Sequence, residues 1–187
     1  MPVEIEAKMK VADHAGVRQR LRENGAKHES TVLETNTFFD TPDRALMSND
    51  KGLRLRHTTD ADTHEEKSKF TFKGPRQKGQ LKSRPEHEMD VSDPRAARAF
   101  LEALGFTKLA SFQKRRESWT LEKCHVELDE VPHLGTFVEI EGPDEPTVMR
   151  LREMLHLRDE PLIQTSYISL LMSHLKEKGI SARDVTF

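Results

Sequence analysis

The stretch that most constrains this chain is its first strand, Val3-Glu4-Ile5-Glu6-Ala7-Lys8-Met9-Lys10. Val3, Ile5, Ala7 and Met9 fall on one face, and Glu4, Glu6, Lys8 and Lys10 on the other. Strict alternation of this kind is the pattern of a half-buried strand. The ordinary reading of the charged face is that it meets water. Later strands repeat the pattern, however, and several offer same-face charges of one sign: Arg54 with Arg56, Lys69 with Lys73, Lys114 with Arg116, Glu127 with Asp129, Glu139 with Glu141, and Glu86, Glu88 and Asp90 behind Arg84. Side chains two apart on a strand project from the same face.

Two carboxylates roughly 7 Å apart on one strand repel each other and gain nothing from exposure, and two arginines do likewise. Such pairs are sensible if a cation sits between the acids and a polyanion between the bases. Carboxylate oxygens suit Mg²⁺ or Mn²⁺, and Arg and Lys suit phosphoryl oxygens. A face doing this work should be enclosed, because excluding water strengthens every electrostatic contact. The expected sheet is therefore inside out, polar within and apolar without. Helices predicted at 13–25, 93–105, 147–157 and 166–178 supply the outer cover. On pattern alone, a plain solvated face remains the competing reading.

At 187 residues the chain is long enough for one substantial core, and no linker or repeat divides it. Residues 1–178 are read as one domain and 179–187 as a C-terminal tail or short docking segment. Residues 57–68 lack an apolar anchor and read as a mobile hairpin connection. A net charge of −2 argues against nucleic-acid binding by bulk electrostatics. The single cysteine, Cys124, excludes an internal disulfide framework and fits a reducing cytoplasm. No run approaches the ~20 apolar residues of a membrane span, and the first residues enter a charged strand directly. A cytoplasmic protein without membrane contact is the expectation.

An ordered set of motifs carries a resemblance. Glu4-Ile5-Glu6-Ala7-Lys8 is followed by Phe38-Phe39-Asp40-Thr41, Leu53-Arg54-Leu55-Arg56, Phe72-Lys73-Gly74-Pro75 and Arg84-x-Glu86-x-Glu88. Lys114-Arg115-Arg116, Leu128-Asp129-Glu130-Val131, Leu134-Gly135 and Phe137-x-Glu139-Ile140-Glu141 complete it. Together they resemble the CYTH superfamily, or triphosphate tunnel metalloenzymes, across residues 3 to about 170. The first motif alone is weak; the ordered series is specific. The resemblance implies an α+β fold: a closed antiparallel β-barrel of about eight strands, whose tunnel binds a triphosphate-bearing substrate with Mg²⁺ or Mn²⁺.

Position by position, the resemblance makes Glu4, Glu6, Glu139 and Glu141 metal ligands, with one of the last two sufficing. Lys8, Arg54, Arg56, Lys73, Arg84, Lys114 and Arg116 would grip the triphosphate. Lys8 and Asp129 are the expected catalytic residues, Asp129 as an orienter or second metal contact. Glu86, Glu88 and Glu127 would support the acidic side, either as ligands or by pairing with the cations. The motifs look most like the class IV adenylyl cyclase branch, which converts ATP to cyclic AMP and pyrophosphate. A thiamine triphosphatase or inorganic triphosphatase is the alternative, and a non-catalytic nucleotide or polyphosphate binder is a third. A homodimer is implied by resemblance alone. Trp119 has parity opposite to Lys114 and Arg116 and should face the outer layer, leaving no obvious tunnel tryptophan for a thiamine ring. Tyr167 is assigned to core packing ahead of a place at the tunnel mouth.

Overall fold

A computed structural model describes residues 3–77 and 81–187; the side chains of Val3, Glu4 and Lys82 lie outside the described residues. Eight strands form one sheet that closes on itself: β1 (Val3–Val11), β2 (Lys27–Asp40), β3 (Gly52–Asp60), β4 (Glu66–Lys73), β5 (Lys82–Asp90), β6 (Thr107–Leu121), β7 (Cys124–Val131) and β8 (Gly135–Gly142). Their order is β2-β3-β4-β5-β1-β8-β7-β6, and an antiparallel β2–β6 pairing completes the barrel. All these pairings are antiparallel. Closure removes the sheet edges and gives every strand one face toward the axis.

The apolar faces point outward, as the alternation predicts. Ala7 and Met9 of β1, Val126 and Leu128 of β7, and Val138 and Ile140 of β8 are buried under two helices. These are α1 (Ala15–Glu23), through Val17 and Leu21, and α4 (Glu145–Met154), through Val148 and Leu151. Trp119 joins the same outer layer. Each helix start is built locally: Asp144 caps α4 by accepting from Thr147 N, with Pro146 in the first turn, where its missing N–H costs nothing. At Gly142 a Cβ would lie 2.8 Å from both Cys124 Sγ and Val148 Cγ2, so α4 approaches the barrel at a point that only glycine permits.

Three further helices follow: α2 (Ala45–Ser48), α3 (Pro94–Ala103) and α5 (Tyr167–Glu177). The barrel has a seam. β1 pairs with β5 only over Val3–Glu6, and beyond it the Lys8 carbonyl accepts from Ile163 N instead. The segment leading into α5 thus fills the gap, and α5 packs Tyr167, Leu171 and Leu175 against Phe112, Val131 and Phe137.

One expectation is adjusted, and of the two readings of residues 179–187 the docking segment is the one present. Residues 57–68 are mostly strand: β3 runs to Asp60, β4 starts at Glu66, and Asp60 stabilises the short turn by accepting from Asp62 N and Thr63 N. Hairpin pairing supplies the order that the missing apolar anchor hid. The C-terminal segment docks: a short strand, β9 (Asp184–Val185), lies parallel to β6 at Ser111–Phe112.

Because the outer layer supplies the apolar core, a deletion there should be felt strongly. Leu151→Ala, at a site 1% exposed, is expected to lower the unfolding free energy by about 2–5 kcal/mol. Urea denaturation measures it, and a change near zero would place the core elsewhere.

Candidate active site

The barrel interior carries the charges. Register fixes which side chains meet, since directly paired residues on neighbouring antiparallel strands share a face. Lys8 stands opposite Glu139 and Glu6 opposite Glu141; Glu34 faces Lys114; Arg116 faces Asp129; Lys73 faces Glu86. Lys8, Lys73, Lys114 and Arg116 are thus neutralised across strands, whereas Glu6 and Glu141 meet as like charges.

Arg116 meets four carboxylates. It donates from Nε to Asp129 Oδ1 at 2.7 Å and from Nη2 to Asp129 Oδ2 at 2.6 Å, a bidentate fork. It also pairs with Glu139, lies 3.7 Å from Glu127 and reaches Glu34 at 4.0 Å. Lys114 Nζ sits 3.2 Å from Asp129 and 3.3 Å from Glu34. Lys8 Nζ is 3.0 Å from Glu139 and 3.4 Å from Glu6, and donates to the Thr165 carbonyl. Arg54 donates to Thr71, whose hydroxyl donates to Glu88. Lys73 pairs with Glu86.

These contacts set the titration of the group. Burial alone would raise the Glu34 carboxyl, but Lys114, Arg56 and Arg116 outweigh it and hold Glu34 far below the usual carboxylate range. Burial would lower Lys8, yet Glu139 and then Glu6 raise it. Lys114 moves the other way: burial first, then the Arg116 charge, lower it despite Asp129 and Glu34. Two interior lysines are thus pushed in opposite directions by their surroundings.

Two cavities in the interior share Arg56 and Arg116. One, of about 90 Å³, lies beside α5 and is lined by Glu6, Lys8, Asn36, Phe38, Arg54, Arg56, Lys73, Arg84, Phe112, Lys114, Arg116, Glu139 and Ser166–Ile168. The other, of about 280 Å³, opens at the far end around Ser30, Thr58, Asp60, Ser118 and Glu127. Glu34, Arg56 and Arg116 stand between them, with Arg56 3.4 Å from Glu34.

All seven cations expected from the sequence line the first cavity. Arg84 is more committed than expected: its guanidinium donates to the Gly74 and Asp50 carbonyls and so ties two loops at the mouth. Glu86, Glu88 and Glu127 each contact a neighbouring side chain, Lys73, Lys69 with Thr71, and Arg116 with Ser118. Asp129, fully buried, joins Lys114 and Arg116 and accepts from the Tyr167 hydroxyl at 2.9 Å. Of the four expected metal ligands, Glu4 lies outside the described side chains, while Glu6, Glu139 and Glu141 share the inner face of β1 and β8. Among the described residues, no three acidic, histidine or cysteine side chains already converge as a metal site. Glu6 and Glu139 turn to Lys8 instead, as carboxylates do when an ammonium is the nearest cation.

Three participants were not expected. Glu34 and Asn36 are 1% exposed inside the barrel. The signal was their shared parity with Phe38, which a strand rich in Thr and Phe disguised. Tyr167 is the third. Beyond packing, its ring lies 4.4 Å from Lys8 Nζ and 5.3 Å from Lys114 Nζ, and burial followed by the Asp129 charge raises its hydroxyl well above the usual range.

The fold and this interior define a charged-tunnel protein, and comparison with known proteins gives the family. The CYTH domain model matches residues 2–164, and the chain belongs to that family. It is 27% identical over 179 residues to a "putative adenylate cyclase" of Methanocaldococcus jannaschii, covering 90% of this chain and 98% of the relative. It is 28% identical over 134 residues to the thiamine-triphosphatase of Macaca fascicularis, a match spanning 63% of this chain and 54% of that enzyme. A Pyrococcus horikoshii protein of solved structure superposes with a TM-score of 0.79 at 25% identity, covering 91% of this chain and 98% of the other. The family's named relatives thus point to an enzyme acting on triphosphates.

The Glu34 carboxylate yields a pH prediction. Because the folded chain holds it ionised, the unfolded chain protonates first as the pH falls. Its stabilisation is complete above the ordinary value of 4.5 and is lost progressively below it. Glu34→Gln is expected to flatten this acid limb. At neutral pH it should cost about 3–5 kcal/mol, because Lys114 and Arg56 lose a buried counter-charge. Urea midpoints from about pH 3 to 7 check both effects; an unchanged acid limb would contradict the assignment.

Proposed function

We propose that this chain is a divalent-metal-dependent enzyme that breaks a phosphoanhydride bond of a triphosphate-bearing substrate inside the barrel, with cyclisation of ATP as its reaction. The observation carrying the triphosphate reading is the convergence of seven cations on one enclosed cavity. Surface electrostatics needs no such enclosure, whereas a polyanion does. The end-to-end match to a relative named as an adenylate cyclase supports the cyclase choice. The partial match to thiamine-triphosphatase supports hydrolysis as the second reading.

In this reading Arg54, Arg56, Lys73, Lys114 and Arg116 take phosphoryl oxygens by charge-assisted hydrogen bonds. Lys8 does so beside the carboxylates. Glu6 with Glu139 or Glu141, joined by Glu4, would hold Mg²⁺ or Mn²⁺, since an all-carboxylate donor set suits a hard cation. Such an ion, when bound, would supply Lewis-acid chemistry, lowering the pKa of an attacking hydroxyl and offsetting negative charge on the phosphoryl oxygens. Asp129 orients Lys114 and Arg116 rather than meeting the anion directly. In cyclisation the ribose 3′ oxygen bonds to the α-phosphorus, the bridge to the β-phosphate breaks, and pyrophosphate leaves with the bonding electrons. In hydrolysis water attacks the terminal phosphorus and orthophosphate is released. The cations bind the same polyanion either way, so products separate the two.

Incubation with Mg²⁺ or Mn²⁺ and ATP, thiamine triphosphate or tripolyphosphate, followed by product analysis, is the direct test. Cyclic AMP with pyrophosphate is expected, and orthophosphate release would select the second reading. Glu6→Ala should reduce turnover by on the order of 10²-fold or more while leaving the chain folded, through loss of metal binding; undiminished activity would sink the metal assignment. Arg56→Ala is expected to raise KM for the triphosphate about 10- to 100-fold, the worth of a charge-assisted hydrogen bond. An unchanged KM would mean that Arg56 does not meet the anion.

A further inference from the structure

The cavity beside α5 offers donors almost everywhere, and phosphate oxygens can satisfy them. One buried atom there asks for the opposite. Asn36 lines this cavity, is 1% exposed, and its Oδ1 has no hydrogen-bond partner among the described residues. Its Nδ2 donates to Glu34 Oε2 at 3.1 Å. An ionised carboxylate only accepts, so Glu34 must face the amide nitrogen, and this fixes Oδ1 on the other side. The paired residue on β3 is Arg56, whose Nε is likewise buried without a partner. An orphan acceptor and an orphan donor on register-paired residues fit one small group that both donates and accepts. Phosphate oxygens carry no hydrogen to give Asn36. A neutral O–H group does, and it can accept from Arg56 as well.

We infer that Asn36 orients the attacking oxygen, its carbonyl accepting the O–H of the group that adds to phosphorus. The inference rests on the triphosphate reading and deepens it. Two sources present this chemistry: a water, or a hydroxyl of the substrate itself. In either case the oxygen forms the new P–O bond as the bridging P–O bond breaks, and the departing diphosphate group (pyrophosphate in cyclisation, ADP or pyrophosphate in hydrolysis) takes the electron pair. The proton passes from the attacking oxygen to water. The amide is not a base; it holds the O–H in line and leaves phosphate affinity to the cations.

Asn36→Ala and the near-isosteric Asn36→Leu, assayed with Mg²⁺ on tripolyphosphate, ATP and 3′-deoxy-ATP, test this. Both variants are expected to lose on the order of 10- to 100-fold in kcat while KM stays within about twofold, the split that marks an interaction made in the transition state. Loss on every substrate that the parent turns over, tripolyphosphate included, assigns the water. Loss on ATP alone, with 3′-deoxy-ATP inert even to the parent, assigns the ribose hydroxyl. A kcat within about twofold of the parent in both variants, or a raised KM at constant kcat, overturns the inference alone. A parent inactive on all three substrates and on thiamine triphosphate overturns the triphosphate reading and this inference with it.

Discussion

Everything in this structure depends on neutralising charge inside a closed barrel. A buried ion costs several kcal/mol unless partners and hydrogen bonds surround it. Lys114 and Arg116 are neighbours on one face of β6, an arrangement that would be repulsive in isolation. They are held because β2 sets Glu34 beside Lys114 and β7 sets Asp129 beside Arg116. The same logic joins Lys8 to Glu139 across β1 and β8. Barrel closure and charge pairing are therefore one requirement: only a sheet without edges gives each of these strands a neighbour on both sides.

The inverted polarity decides the rest of the architecture. With the charges inside, the apolar strand faces must be covered from outside, and α1 and α4 do this over β1, β8, β7 and part of β6. α5 does something different. Its first residue, Tyr167, is buried inside the barrel end, bonded to Asp129 and close to two lysines, while its later turns pack on Phe112, Val131 and Phe137. A helix that both closes the cavity and joins its hydrogen-bond network couples outer packing to inner electrostatics.

Much of this was legible in period two. The β1 alternation gave both faces correctly, because an apolar residue at every second position has one physical reading once the opposite face is known to be enclosed. Trp119 was placed outside by parity alone. What the pattern could not show is how several like-charge pairs are held. Strand register, invisible in a one-dimensional string, sets Glu34 beside Lys114 and Asp129 beside Arg116, while Glu6 stands opposite Glu141. Glu34 and Asn36 were hidden for a related reason: Leu33-Glu34-Thr35-Asn36-Thr37 carries a single charge, so it forms no pair to notice. Tyr167 was hidden because a helix's periodicity gives its own apolar face and says nothing of what its first residue reaches.

Cross-strand neutralisation also changes how ligand capture works. Lys8, Lys73, Lys114 and Arg116 are engaged with carboxylates, while Arg84 donates to the Gly74 and Asp50 carbonyls. In the proposed reaction, phosphoryl oxygens would replace carboxylates around Arg and Lys, and Glu6 and Glu139, so released, would become available to a divalent ion. Metal and polyanion would then favour each other, because each would release the other's ligands. Such an exchange serves any triphosphate. Under that proposal, discrimination between reactions would come from groups that take no part in the exchange, among them the neutral Asn36 amide and the aromatic rings of Phe38, Phe112 and Tyr167.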